Sequence, residues 1–356
     1  MQKLLVTQCE RQEREMQMRD DLGITTKLEN GKAYLEFVLP EKIGRLLSAL
    51  QIEIWEEAEG GRLVFHGEYS SEEADSMTAL LLRPHLWDGM RDPYVYLVKA
   101  QGRFRSVEYG EKTGCTENEE ESDPAEDITG AVEVYWRQEL TIYDVRVVEK
   151  KGILLNEKEF LPHEVVYRLP PQISDAGMRV EQVRRDLERL ARMGVNAIRL
   201  EGTGSGAERQ NCYEVRAFYR LCRRGGFLTG DLWIRPENLP VYRGLPGETT
   251  CQALLAADGR TLTERYYYYQ AKWSSEPVLY PVLSTLHRQE NGLLSLTIYS
   301  NQKKVVLYVD GLLFLFQTAT SGDPEFIFED IPVEKLPLHL AVEAGNLSIS
   351  LTVTKL

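Results

Sequence analysis

The sequence has 356 residues, of which 43% are hydrophobic and 27% are charged. This composition indicates a soluble globular protein, and the length is enough for two or three domains with ordinary cores. The formal net charge of −13 argues against nucleic acid and anionic membrane surfaces as partners, because both are bound by clustered lysine and arginine.

Cysteines, histidines and apolar runs exclude further classes. The five cysteines are widely spaced and form no Cys-x-x-Cys pair, so they predict neither a disulfide framework nor a zinc site. They are Cys9, Cys115, Cys212, Cys222 and Cys251. The histidines also lack metal-ligand spacing, and we expect no metal and no cofactor. The first apolar run is short beside the roughly 7–15 residues of a secretory signal, and no stretch approaches the ~20 of a membrane span. These features predict a cytoplasmic protein.

The first half of the chain has a β pattern. Residues 1–22 are polar and predict an N-terminal extension, whereas residues 23–148 form short alternating runs. Asn30-Gly31 and Gly60-Gly61 provide hairpin turns between these runs. Short strands at this spacing predict an antiparallel β-sandwich. Residues 111–127 are strongly acidic, and we expect a solvated loop there rather than an interaction site.

Residues 149–262 have an α/β pattern. Apolar residues recur every three or four positions in Met178–Met193, which predicts a helix with one buried face, and Gly194 stands where a left-handed residue ends such a helix. A second helix is predicted from about Cys212 to Arg224. Strands that alternate with helices favour parallel βα units.

The last region, residues 263–356, has a β pattern again, with a hairpin signal at Asp310-Gly311. It predicts a second, C-terminal β-sandwich. The run Tyr266–Tyr269 with Trp273 could form an aromatic platform for a sugar ring. We favour packing instead, because alternate members of such a run on a helix must face the core and the sandwich behind it.

Five motifs in order carry a resemblance to a known family. They are Pro84–Tyr96, Gly152-Ile-Leu-Leu-Asn156, Asp186–Arg199, Phe218–Phe227 and Arg265–Trp273. This series resembles the family 2 glycoside hydrolases, the β-galactosidase, β-glucuronidase and β-mannosidase group. The resemblance implies a multidomain β and α/β protein with an immunoglobulin-like β-sandwich, a (βα) TIM barrel and a C-terminal immunoglobulin-like β-sandwich.

The barrel region departs from that pattern. A (β/α)8 barrel takes about 250 residues, whereas about 110 residues separate Gly152 from Arg265. In the family, the missing part carries both catalytic glutamates, one of them in an Asn-Glu pair. The pairs present here, Asn118-Glu119 and Asn156-Glu157, lie in the acidic segment and in the entry hairpin, so neither fits. The resemblance therefore implies a truncated barrel remnant and a non-catalytic protein, a pseudoenzyme.

Four carboxylates fall near predicted ends of parallel strands, where barrel enzymes carry their chemistry. They are Glu164, Glu201, Asp231 and Glu237. A retaining glycosidase needs two carboxyl groups about 5–5.5 Å apart, and an inverting one about 6.5–9.5 Å. A pair such as Glu201 with Asp231 is conceivable, but pairing of these carboxylates with nearby arginines is the simpler interpretation.

The candidate ligand-binding residues come largely from comparison with the family's motifs. Arg199 occupies the position of the family's second-strand arginine, and Asp231 keeps one member of its acidic pair; Trp233 and His163 complete the set of candidates. The glycine-rich run Gly202–Gly206 fits a dinucleotide fingerprint. However, the next helix is predicted to begin too late to place a phosphate on its N-terminus.

Three functions remain open. The chain is either a non-catalytic relative that binds a carbohydrate or another protein, or a β-glycosidase with relocated or dimer-shared carboxylates, or a structural subunit of a larger hydrolase. An unfinished parallel sheet also has exposed edges. We expect Arg235–Ala257, the C-terminal sandwich, or a partner chain or second copy to cover one of them.

Overall fold

The computed structural model describes residues 22–40, 47–57, 60–70, 73, 77–104, 133–148, 151–169, 176–201, 213–229, 239–244, 253–320 and 322–355. The predicted extension, apart from Leu22, and the acidic segment 111–127 lie outside these residues. Most described residues lie in strands, and three helices accompany them. The chain forms two compact units, Met1–Phe160 with Asn211–Tyr213, and Leu161–Gln210 with Glu214–Leu356.

The first unit contains two antiparallel sheets that share one core. One has the order β1-β2-β5, from Gly23–Glu29, Lys32–Val38 and Thr78–Leu82. The other has the order β4-β3-β6-β7, from Leu63–Ser70, Leu47–Glu56, Tyr96–Phe104 and Glu133–Leu140. Alternate residues point inward, as a period of two requires. Leu22, predicted to end the polar extension, is instead buried in this core.

A small sheet of order β10-β9-β8 follows, from Lys158–Phe160, Gly152–Leu155 and Val145–Val148. The predicted hairpin at Gly152–Asn156 is confirmed by the antiparallel pairing of β9 with β10. Asn156 bridges two segments: its Nδ2 donates to the Trp87 carbonyl at 2.9 Å, and its Oδ1 accepts the Asp144 N–H at 3.0 Å. Two motifs of the resemblance are therefore joined by one asparagine side chain.

The second unit begins with a five-stranded sheet of order β13-β12-β11-β14-β15. Its strands are β11 (Glu164–Tyr167), β12 (Ala197–Leu200), β13 (Leu228–Thr229), β14 (Val241–Arg243) and β15 (Ala253–Leu255). All neighbouring pairs are parallel. β14 lies beside β11, so the prediction that Arg235–Ala257 covers an edge is confirmed for this segment. In a (βα) barrel, the last strand lies beside the first one. Here the strand beside β11 is β14, and the last strand, β15, lies beyond it.

Three helices contribute to the core on one face of this sheet. They are α1 (Ala176–Met193), α2 (Tyr213–Arg224) and α3 (Glu264–Trp273). Both predicted helices of this region are therefore confirmed. The core combines apolar residues of all three helices with strand residues of one parity, such as Val165, Tyr167 and Ile198. Strand residues of the other parity, such as Val166 and Ala197, are also buried. Both faces of the sheet thus exclude water.

The C-terminal strands form two further antiparallel sheets around an apolar core. One sheet has the order β16-β17-β20, from Leu279–Arg288, Leu294–Ser300 and Glu325–Ile331. The other has the order β19-β18-β21-β22, from Leu312–Thr318, Lys304–Val309, Leu338–Ala344 and Leu347–Val353. The predicted Asp310-Gly311 turn joins β18 to β19.

Helix α3 packs on both the parallel sheet and the C-terminal sheets. Tyr266 is buried in the parallel-sheet core. Tyr267 stacks on Tyr280 of β16 with ring centroids 3.7 Å apart, and Tyr268 meets Tyr299 of β17 edge-on at 5.5 Å. The tyrosine run thus contacts both the parallel-sheet core and the surface of the C-terminal sheets, as the sequence predicts. No helix among the described residues is long and apolar enough to cross a membrane.

Candidate functional site

An ion pair stands at the carboxyl ends of β11 and β12. Arg168 follows β11 directly and Glu201 follows β12, so their side chains lie at the same end of the parallel sheet. The Arg168 guanidinium donates from Nε to Glu201 Oε2 and from Nη2 to Oε1, the second at 3.4 Å. Its Nη1 also donates to the carbonyl of Arg243, the last residue of β14, at 3.2 Å. The Glu201 side chain is 45% exposed. This pair offers polar groups to solvent at the end of the sheet where ligands bind in α/β proteins.

Glu164 occupies a different position from the one expected. It is the first residue of β11 and so lies at the amino end, because the strand begins only after His163. Its Oε1 accepts a hydrogen bond from Arg199 Nε at 3.0 Å. The Glu164 side chain is 1% exposed and that of Arg199 is 11% exposed. Arg199 therefore holds a buried carboxylate on the sheet face opposite the helices.

His163 also lies at the amino end of the sheet. Its Nδ1 is 2.9 Å from the Gly194 carbonyl, and its ring stacks on Trp273 with centroids 5.2 Å apart. Its backbone N–H donates to Asn196 Oδ1 at 2.7 Å. Burial lowers the pKa of His163, which the carbonyl contact partly opposes. His163 thus joins β11, the end of α1 and α3 by packing. Its contact with a ligand stays a prediction.

The remaining candidates, Asp231, Trp233 and Glu237, lie outside the described residues, as does the glycine-rich run Gly202–Gly206. The described candidates divide into two places: Glu201 lies at the carboxyl end, and Glu164 and His163 lie at the amino end. Arg199, the third residue of β12, reaches back to Glu164. In the part of the chain that the structure describes, no three histidine, cysteine, aspartate or glutamate side chains are grouped as metal ligands.

A buried network centred on Asp186 of α1 is the feature that the sequence analysis missed. Its carboxylate is fully buried and accepts hydrogen bonds from Tyr167 (2.9 Å), Tyr242 (3.0 Å), Arg243 Nη2 (2.7 Å) and Gln182 (2.9 Å). Burial, with the nearby Asp186 charge, raises the pKa values of both tyrosines. The network ties α1 to the adjacent strands β11 and β14.

A sequence signal for this network did exist. Asp186 lies three residues after Val183 and four before Leu190, on the apolar stripe of α1, where a charge is costly unless it is paired. Cys222 of α2 is buried as well, and burial raises the pKa of its thiol well above the ordinary value. A protonated, enclosed thiol is a poor nucleophile.

Comparisons with known proteins identify the fold. No protein-family model matches the chain, and no curated protein sequence matches it. Solved structures do. An FMN-binding β-glucuronidase from Facaelibacterium prausnitzii L2-6 is 13% identical with a TM-score of 0.64, over 95% of this chain and 74% of that one. A β-glucuronidase from Parabacteroides merdae is 10% identical with a TM-score of 0.61, over 94% and 64%.

A third structure, a glycosyl hydrolase family 2 member from Bacteroides cellulosilyticus, is 13% identical with a TM-score of 0.58, over 95% of this chain and 63% of that chain. The fold is therefore like that of family 2 glycoside hydrolases. At these identities the likeness concerns the fold alone. Function has to be argued from the residues present.

Proposed function

We propose that this chain is a non-catalytic, family 2 glycoside hydrolase-like protein that binds a carbohydrate at the carboxyl end of its parallel sheet. Its architecture would be an immunoglobulin-like sandwich, a truncated barrel remnant and a C-terminal immunoglobulin-like sandwich, divided near residues 148 and 262. Parallel strands with helices packed on one face are what part of a (βα) barrel would present, and they support this interpretation.

The observation that carries the proposal is the state of the two described candidate carboxylates. Both Glu201 oxygens accept from Arg168, and Glu164 is held by Arg199. Each carboxylate is thus already a partner in an ion pair, and we interpret both as structural groups rather than as an acid and a nucleophile. The pairs also lie at different ends of the sheet, whereas hydrolysis requires both carboxyl groups to flank one bond.

Binding of a sugar requires hydrogen-bond donors and acceptors but no pair of catalytic carboxyl groups. Arg168 and Glu201 together present donors and acceptors that suit sugar hydroxyls, and Glu201 is half-exposed. The similarity in fold to β-glucuronidases and to a glycosyl hydrolase family 2 member supports a carbohydrate as the ligand class. We further propose a cytoplasmic location, no nucleic-acid or membrane partner, and that any partner chain binds at a sheet edge.

The test combines turnover with binding. Purified protein is assayed against aryl β-galactoside, β-glucuronide, β-mannoside and β-glucoside, and binding of the matching methyl glycosides is measured by calorimetry. We expect no turnover, and saturable binding of one sugar that Arg168→Gln weakens at least tenfold. Arg185→Gln is the matched control, because it removes an exposed arginine of α1 that pairs with Glu181.

Two outcomes would overturn the proposal. Turnover that survives repurification and disappears in Asp231→Asn would make the chain a glycosidase with relocated carboxylates. Absence of binding to every sugar, with a folded protein by circular dichroism, would remove the carbohydrate ligand.

A further inference from the structure

Strand β19 presents an apolar surface at the edge of its sheet. It pairs with β18 on one side, and it is the first strand in the order β19-β18-β21-β22. Leu312, Leu313 and Phe316 are 76%, 61% and 52% exposed, and Leu315 is also exposed. The segment Leu312–Thr318 contains no charged residue and no proline. Edge strands are normally protected by such residues, because their free N–H and C=O groups can pair with another strand.

Two other edges of the same region carry more polar residues than β19. The exposed positions of β22, at the opposite edge of this sheet, include Ser348, Ser350 and Thr352. The edge strand β20 of the neighbouring sheet exposes Glu325 and Glu329, although Ile327 is exposed as well. The apolar character of β19 is therefore a local feature and does not reflect the composition of these sheets.

The charges at the two ends of β19 favour a second copy of this chain as the occupant. Thr318, at one end, lies opposite Lys304, which adjoins Lys303. Leu312, at the other end, follows the turn that contains the exposed Asp310. In an antiparallel pair of identical strands, the lysine end of one copy lies beside the aspartate end of the other, and both ends are matched at once.

We propose that two copies of this chain associate through antiparallel pairing of β19 with β19 of the second copy. The two four-stranded sheets would then form one continuous sheet across a two-fold axis. The exposed leucines and Phe316 would be buried in the contact, and the free backbone groups of both edges would be hydrogen-bonded. A two-fold contact of this kind is closed and does not propagate into fibres.

The experiment is light scattering with size-exclusion chromatography on the full chain, across 1–100 µM protein. Wild type is expected at about twice the chain mass of 40.8 kDa, and Leu313→Lys/Leu315→Lys at the single mass. The matched control is Leu80→Lys/Leu82→Lys on β5, where the leucines are 43% and 67% exposed. This control should remain a dimer.

Hydrogen exchange identifies the strand involved. Amides of residues 312–318 should be at least tenfold more protected in the wild-type dimer than in the lysine variant. If the lysine variant fails to fold, Leu313→Thr/Leu315→Thr replaces it, because threonine keeps the strand propensity; its dimer dissociation constant should rise at least tenfold. A monomeric wild type, a dimer unaffected by these changes, or dissociation caused by the β5 control would each overturn the proposal.

Discussion

The parallel sheet and the C-terminal antiparallel sheets belong to one compact unit, yet they bury different side chains. Among the described residues, Glu164, Asp186 and Arg243 are buried in the parallel-sheet region, whereas the buried polar residues of the C-terminal sheets are Ser295 and Ser300. The C-terminal core itself consists of leucine, isoleucine, valine, phenylalanine and alanine. One region is therefore held together partly by ion pairs, and the other by apolar packing.

The difference has a physical consequence. A buried ion pair adds little stability over apolar side chains of the same shape, but the loss of one partner leaves a buried charge uncompensated. Apolar cores respond to lost volume instead, and they do so nearly independently of pH. The stability of the parallel-sheet region should thus depend on its ion pairs and on pH. The stability of the C-terminal sheets should depend on neither.

The largest expected effect is that of Asp186→Asn. The substitution keeps the shape of the side chain but removes the negative charge opposite Arg243, which is 6% exposed. Breaking a buried pair in this way costs about 3–5 kcal/mol. The free energy of unfolding is measured by urea denaturation. Glu188→Gln, an exposed position on the same helix, should change it by less than about 0.5 kcal/mol; an equal loss in both variants would refute a special role of the network.

Leu296→Ala tests the other side of the comparison. Leu296 is completely buried in the C-terminal core, and truncation of such a leucine costs about 2–5 kcal/mol, of which we expect about 3. The loss should be the same at pH 6 and pH 9 within about 0.5 kcal/mol, since no ionisable group faces the vacated volume among the described core residues. A pH-dependent loss would show that the two cores do not differ as argued.

The local elements of this fold were predictable from the sequence. Helix α1 was predicted from the spacing of its apolar residues, and its end from Gly194, so both signals lie within one short segment. Gly194 has a φ of +90°, and a Cβ there would lie 2.4 Å from the Trp273 carbonyl oxygen. The Asp310-Gly311 hairpin and the division of the tyrosine run in α3 are likewise decided by short-range spacing.

The arrangement of the parallel sheet was not predictable in the same way. The place of β14 beside β11 depends on pairing between Val166 and Val241, which are far apart in the sequence. The position of Glu164 depended on where β11 begins, and a one-residue ambiguity exchanges the faces of a strand. The Asp186 network needs Tyr242 and Arg243 from that same distant strand. The sequence therefore indicated candidate residues for the site, but it did not indicate how they are arranged in space.

Tyr242→Phe should lower the free energy of unfolding by a smaller amount. It removes the hydroxyl but keeps the packing of the ring. It removes the phenol hydrogen bond to Asp186, which is worth about 1.5–3 kcal/mol because the acceptor is charged. The pKa of Tyr242 is raised by burial, while unfolded tyrosine ionises near pH 10. Above that pH the unfolded state binds fewer protons than the folded state, so the free energy of unfolding of wild type falls.

The stability difference between wild type and Tyr242→Phe should accordingly be greatest at pH 8 and shrink above pH 10. Urea midpoints at pH 8, 9.5 and 10.5 measure it. Tyr34→Phe, at an exposed position of the first unit, should show no such trend. A constant difference across this range would mean that the Tyr242 hydroxyl contributes packing only.

The smallest effect is expected at His163, where the pH dependence has the opposite sign. Burial lowers its pKa in the folded state, so below the ordinary value of about 6.5 the unfolded state binds more protons. Stability supplied by the neutral ring is therefore complete above that pH and is lost as the pH falls. His163→Gln should lose less stability than wild type between pH 7.5 and pH 5, in urea titrations at each pH. His287→Gln, at an exposed position of β16, should follow wild type. If His163→Gln also follows wild type, the ring does not oppose protonation, and its stacking on Trp273 would be equally favourable in both charge states.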